Sequence, residues 1–270
     1  MKTLGEYLLF GMIFVGLFSV TALAQTSSAA TAEKDKVEAQ RLWDEVIRMK
    51  GGRDRLRNVH SLLVTSSDRN TPYWSELYVF PDKYWEWIKD TPRPRGTAPM
   101  PSTTVRNDDL AFCFWLDGNF LVKCKPEDTS YTVQENGFLL LETASQPFEP
   151  VRVTRGRFDK QVVEIIETRF HKHRIDFSVE AESLMVLKVS DYGADWEKDP
   201  ETVEYVFKDY VDIDGIKMPL SKGWLEFGKT KLDGSWVHYS YEFNVNYDPD
   251  IFLHAPSAHS FDGWKRRSKS

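Results

Sequence analysis

Two cysteines in 270 residues are too few for a disulfide framework. Neither stands in a C-x-x-C pair or beside a histidine pair, which leaves a zinc site unsupported. Other chemistry is equally thin. The chain has no G-x-S-x-G elbow, no H-E-x-x-H, no phosphate-binding glycine loop and no dinucleotide fingerprint. His171-Lys-His173 would put two imidazoles on one strand face, but no third ligand stands near them. Basic excess is missing too. Lys and Arg number 35 against 41 Asp and Glu, a formal net charge of −6, and nucleic acid as a partner needs a basic face. These absences describe a protein without cofactor or metal, and not an enzyme.

A calcium loop is the one metal reading the residues invite. "DYVDIDGIKMP" (209–219) crowds Asp212 and Asp214 before Gly215. With these as positions 3, 5 and 6 of an EF-hand loop, Tyr210 takes position 1 and Ser221 position 12, where acidic ligands belong. The alternative is an Asp-Gly hairpin turn between Ile213 and Ile216, since glycine accepts a positive φ and aspartate tolerates it.

What is present begins with an apolar N-terminus. Residues 7–24 carry no charge, Lys2 supplies a basic start, and Ala22-Leu23-Ala24 precedes Gln25 in the small-x-small pattern of signal-peptide cleavage. No cysteine lies near the cut, so a lipid anchor is not expected there. The expectation is a signal peptide over 1–24, a disordered linker over 25–36 and an exported chain, periplasmic or secreted. Then Ala39, Leu42, Trp43, Val46 and Ile47 recur at helical spacing and Gly51-Gly52 follows, so residues 37–50 predict an amphipathic helix with a glycine stop. Residues 52–58 add a turn, with Leu56 and Val59 facing the same core.

Nearly everything after this reads as strand. "SLLVTSS" (61–67), "WSELYVF" (74–80) and "KYWEWIK" (83–89) are β-rich runs. Four prolines in 90–103 form a loop. Cys113 and Cys124 flank a hairpin turn, and register decides whether their Cβ atoms can meet in a disulfide. Residues 133–145 are ambiguous, a short helix being one reading of their run of leucines. Later strands alternate strictly: Ile175, Phe177 and Val179; Val203, Tyr205 and Phe207; Val237, Tyr239, Tyr241 and Phe243. One apolar and one wet face means antiparallel strands covered on one side. The pattern therefore predicts a mainly β fold with one or a few helices, six to ten strands in a curved antiparallel sheet wrapped over the N-terminal helix. A closed sandwich, burying its apolar faces sheet against sheet, stays open as the alternative. A single domain spans 37–257, and 258–270 is a basic tail.

Four motifs carry a family resemblance. "RLWDEVIRMKGGRDRLRNVHSLLV", "VFPDKYWEW", "DYVDIDGIKMP" and "FNVNYDPDIFLHAP" resemble, in order, the opening, an early strand step, a late hairpin and the ending of the LolA/LolB-like periplasmic lipoprotein-carrier superfamily. Trp85 stands where those carriers commonly have an arginine, and 90–103 and 143–160 read as insertions. The resemblance implies a half-barrel whose concave face receives acyl chains of lipid or lipoprotein beneath a helical lid. An envelope protein or a membrane surface is a further candidate partner. The candidate cavity residues are Leu42, Trp43, Val46, Ile47, Trp85, Trp87, Phe177, Phe207, Tyr241 and Phe243; each also suits plain core packing.

Fourteen per cent aromatic residues, with nine tryptophans, keep a second reading open. A carbohydrate-binding or glycan-processing β protein would line up Trp74, Trp85, Trp87, Trp196 and Trp224 as a stacking platform beside carboxylates. An envelope scaffold without a small ligand is the third.

Overall fold

The computed structural model describes residues 31–66, 74–80, 83–88, 102–107, 110–114, 121–124, 140, 148–170, 173–193, 203–225 and 236–252, with backbone alone at 74, 86–88, 102–107, 110–114 and 121–124. Helix α1 covers 31–50. It starts earlier than the linker expected over 25–36 allows. Ala32, Glu33, Lys34 and Lys36 are good helix formers, and Lys36 Nζ reaches Glu149 Oε1 at 2.6 Å. The helix stops at the double glycine, where the amides of Gly51 and Gly52 both return to the Ile47 carbonyl. A short α2 (Arg53–Arg57) follows.

Among the described residues thirteen strands form one antiparallel sheet, against the six to ten expected. They are β1 (Ser61–Ser66), β2 (Trp74–Val79), β3 (Lys83–Ile88), β4 (Ser102–Asn107), β5 (Leu110–Phe114), β6 (Leu121–Cys124), β7 (Glu149–Phe158), β8 (Gln161–Phe170), β9 (His173–Glu180), β10 (Val186–Asp191), β11 (Val203–Ile213), β12 (Ile216–Leu225) and β13 (Val237–Phe243). The order is β6-β5-β4-β3-β2-β1-β13-β12-β11-β10-β9-β8-β7. Two meanders thus meet in the middle, where β1 pairs with β13. The outer strands β6 and β7 do not pair, so the sheet is unclosed. Strand Ser102–Asn107 begins in the last two residues of the loop expected over 90–103, and Glu149–Phe158 adds an edge strand within one of the expected insertions.

Curvature follows from what the core joins. Tyr84 of β3 and Ile166 of β8 belong to one buried cluster with Trp43, Val46 and Ile47 of α1. Eight strand steps separate β3 from β8, about 38 Å in a flat sheet at ~4.8 Å per step. One helix about 10 Å across cannot cover that width, so the sheet curls around it. Leu140 and Phe148, both from the connection between the two meanders, are buried in the same cluster. Leu140, the one described residue of the ambiguous 133–145 stretch, is helical.

The opposite face has its own small cluster of Leu63, Leu77, Trp85 and Phe252, the last from a 3-10 turn at Pro249–Phe252. Backbone register sets Cys113 across from Val122 and Cys124 across from Ala111. The two cysteines are therefore diagonal neighbours offset by two positions; their side chains lie outside the described residues.

Candidate functional site

Alternation carries the apolar side chains of β8 to β13 to the concave face, where α1 covers them. Leu42, Trp43, Val46, Ile47, Phe177, Phe207 and Tyr241 share the main core, and Phe243 packs on its margin. The Trp43 ring lies 4.9 Å from Phe177 and 5.7 Å from Phe148 between centroids. The space expected between helix and sheet is filled there by these three rings. Trp85 is elsewhere. It pairs across the sheet with Leu77 on the convex face, while its neighbour Tyr84 points inward and donates to the buried Glu76 carboxylate at 3.1 Å. The side chain of Trp87 lies outside the described residues.

Beside the helix-covered core, a cleft of about 500 Å³ opens at one end of the sheet. The β7–β8 turn, the β9–β10 turn and the middle of β11 build it. Its apolar wall is Phe158, Met185, Leu187, Phe207, Tyr210 and Trp236, and its polar groups include Asp159, Glu180, Lys208 and Asp209. Among the candidate cavity residues with described side chains, Phe207 alone stands on this wall, and it belongs to the core as well. The volume falls in the range of small-ligand sites, ~300–1,000 Å³.

The inner wall depends on a break in alternation. Asp209 has φ 59°, a left-handed conformation that a non-glycine residue adopts at a cost. Its carboxylate accepts from Ser221 Oγ at 2.6 Å, and that oxygen lies 3.0 Å from His238 Nδ1. Ser221 is fully buried, so this trio ties β11, β12 and β13 together and offers no nucleophile. Tyr210 follows, packed against the core with its hydroxyl donating to the Val186 carbonyl at 2.7 Å.

Behind Tyr210 lies Lys50, the last residue of α1. It is 5% exposed, its Nζ 3.5 Å from Met218 Sδ and 5.6 Å from the centre of the Tyr210 ring. Burial alone pulls the amine down from 10.5 to about 7. Neither period nor motif singles out this residue in the sequence; a lysine before Gly-Gly reads as a solvated helix end.

The remaining polar candidates are accounted for by neighbours. His173 Nδ1 lies 3.0 Å from Asp191 Oδ1, while His171 lies outside the described residues. Acids on the other face of the sheet pair with bases: Arg152 and Arg169 reach Glu167, Arg174 reaches Asp176, and Lys188 reaches Glu204. No three His, Cys, Asp or Glu side chains among the described residues gather as metal ligands. The Asp212–Gly215 segment is a hairpin turn, with the Gly215 amide donating to Asp212 Oδ1 at 2.8 Å. Of the tryptophans considered for a sugar platform, Trp85 is buried and Trp224 is 39% exposed; the other three side chains lie outside the described residues. No helix among the described residues is long and apolar enough to cross a membrane.

No protein-family model and no curated protein sequence matches the chain. Among solved structures it is similar to LprF from Mycobacterium bovis, at 8% identity and a TM-score of 0.24 over 60% of this chain and 89% of that one. It is also similar to the LolA superfamily protein NE2245 from Nitrosomonas europaea, at 10% identity and a TM-score of 0.43 over 78% of this chain and 96% of that one. Likeness at this level decides no activity, which rests on the cleft and its surroundings.

Proposed function

We propose that this is an exported binding protein that carries a lipid acyl chain, free or attached to a lipoprotein. The observation that supports this is the cleft of about 500 Å³, whose wall of Phe158, Met185, Leu187, Phe207, Tyr210 and Trp236 runs into the main core. Each methylene moved from water to such a wall contributes ~0.8 kcal/mol, so a sixteen-carbon chain offers on the order of 10 kcal/mol before the costs of association. Shape and apolar area suffice for this task. In this reading α1 is the lid. A longer chain extends from Phe207 beneath it, where Leu42, Trp43, Val46, Ile47, Phe177 and Tyr241 lie, and the helix lifts to admit it.

Extraction of the purified protein, followed by mass spectrometry of co-purified lipid, tests the proposal. Recovery of acyl lipids near one per protein is the expected result. Tryptophan fluorescence separates it from the sugar-binding alternative. A response to long-chain lipid and none to oligosaccharides is expected; the reverse pattern would overturn the acyl reading.

A further inference from the structure

Two lysines among the described residues are buried, and they differ in kind. Lys222 has its amine over two rings, 4.3 Å from the centre of Tyr205 and 5.1 Å from that of Trp224. Lys50 has a thioether at 3.5 Å and the Tyr210 ring at 5.6 Å. An ammonium has three donors, and a thioether sulfur is a weak acceptor. A charge held this way in an apolar interior is expensive. Methionine or leucine would fill the same space without that cost.

Position gives Lys50 a use. Tyr210, whose ring meets Lys50, also lines the cleft, so a single residue connects the amine with the proposed acyl site. Charge along the cleft is uneven as well. Its polar lining contains Asp159, Glu180 and Asp209 against Lys208, and Lys208 is half-exposed with its amine 3.9 Å from Asp209 and 4.3 Å from the Trp236 ring centre. An anionic head at that rim would face three carboxylates against one amine that already stands beside Asp209. The same head behind Tyr210 would face one amine and no carboxylate within ion-pair distance among the described residues.

We propose that the ligand is a single-chain amphiphile with a carboxylate head, a long-chain fatty acid, and that Lys50 pairs with that carboxylate behind Tyr210 while the chain lies along the cleft. This rests on the acyl reading above and narrows it to one head group. A monovalent carboxylate matches one ammonium in charge, and pairing offsets the desolvation that neither ion could bear alone. Tyr210 must turn aside to admit the head, at the cost of its hydrogen bond to Val186.

Pairing needs the protonated amine. Lys50 titrates near pH 7 when it faces only Met218 and Tyr210, so binding above neutrality takes up a proton and weakens as pH rises. The groups around it do not titrate in this range. Tyr210 and Tyr241 are both held above the usual phenol value by burial, Met218 is not ionisable, and the Arg55 guanidinium is committed to the Gly215 carbonyl.

The test is calorimetric titration of the full chain with dodecanoate and with dodecanol at pH 6.5, 7.5 and 8.5, on wild type, Lys50→Met and Lys50→Arg, each checked for folding by circular dichroism. The wild type is expected to prefer the acid by about tenfold or more at pH 6.5 and to lose that preference by pH 8.5, with proton uptake. Lys50→Met keeps dodecanol affinity and loses the preference; Lys50→Arg keeps the preference and loses its pH dependence. If Lys50→Met still prefers the acid, or wild type binds acid and alcohol alike at every pH, the carboxylate inference is overturned and the acyl reading stands. If wild type binds neither compound, the acyl reading itself fails.

Discussion

Arg55 Nη1 donates to the carbonyl oxygen of Gly215 at 2.9 Å, across 160 residues of sequence. The contact fastens the segment after the double glycine to the tip of the Asp-Gly hairpin, so two motifs read separately in the sequence prove to be one joint. Glycine is required on both sides of it. Gly51 has φ 150° and Gly215 φ 80°. A Cβ at Gly51 would lie 2.7 Å from the Gly215 oxygen, and one at Gly215 would run into the Arg55 guanidinium. Gly215→Ala is therefore expected to destabilise by roughly 1–3 kcal/mol, combining left-handed strain with displacement of Arg55. Arg55→Met in the Gly215→Ala background should cost little more, because the contact is already lost. Urea denaturation of the single and double variants reads this coupling.

Lys50 makes stability depend on pH in a direction opposite to acid-stabilised proteins. Its folded value, near 7, lies below the 10.5 of the free side chain. Between these limits the unfolded chain binds a proton that the folded chain does not, so stability rises with pH from about 7 toward 10.5 and this contribution is lost as pH falls. Below about 7 both states are protonated and the dependence ends. Denaturation at pH 7 and 9 should show wild type gaining stability from this group, a gain that Lys50→Met lacks. At pH 7 that variant should also be more stable than wild type, by roughly 1–3 kcal/mol.

Much of the fold was legible because alternation and punctuation are local signals. The helix, its glycine stop, the Asp-Gly turn and the faces of β9 and β13 all follow from residue spacing. "KYWEWIK" shows the limit of that logic. Its two phases place either Tyr84 or Trp85 inward, and hydrophobicity favours the tryptophan. The structure turns Tyr84 inward because Glu76, on the neighbouring strand, is buried there to accept its hydroxyl, and Phe252 covers Trp85 on the other face. The cleft was less legible still. Two turns and a left-handed Asp209 build it, and none of these has a periodic signature.

That left-handed residue supplies a further prediction. Asp209 combines a backbone cost with a hydrogen bond to buried Ser221. Asp209→Ala keeps the cost and removes the bond, leaving His238 as the neighbour of the hydroxyl; a loss of about 1–2 kcal/mol is expected. Asp209→Gly loses the bond and relieves the backbone, so it should be the less harmful of the two at this position. Thermal melts of both variants suffice. Equal losses would mean that the left-handed conformation costs nothing here.

Trp43 and Trp236 separate core from cleft. Trp43 is 1% exposed and packed on Phe148 and Phe177, so Trp43→Ala should cost roughly 3–5 kcal/mol as a cavity forms, and Trp43→Phe should cost less. Trp236 lines the cleft with the Lys208 amine above its ring. A chain entering the cleft covers that indole and shifts its emission to shorter wavelength, while Trp43 is already dry. With short-chain acyl ligands the blue shift should therefore vanish in Trp236→Phe and persist in Trp43→Phe. Chains long enough to reach past Phe207 and lift α1 should perturb both indoles. A shift that survives Trp236→Phe and disappears in Trp43→Phe for every chain length would move the ligand out of the cleft and under the helix.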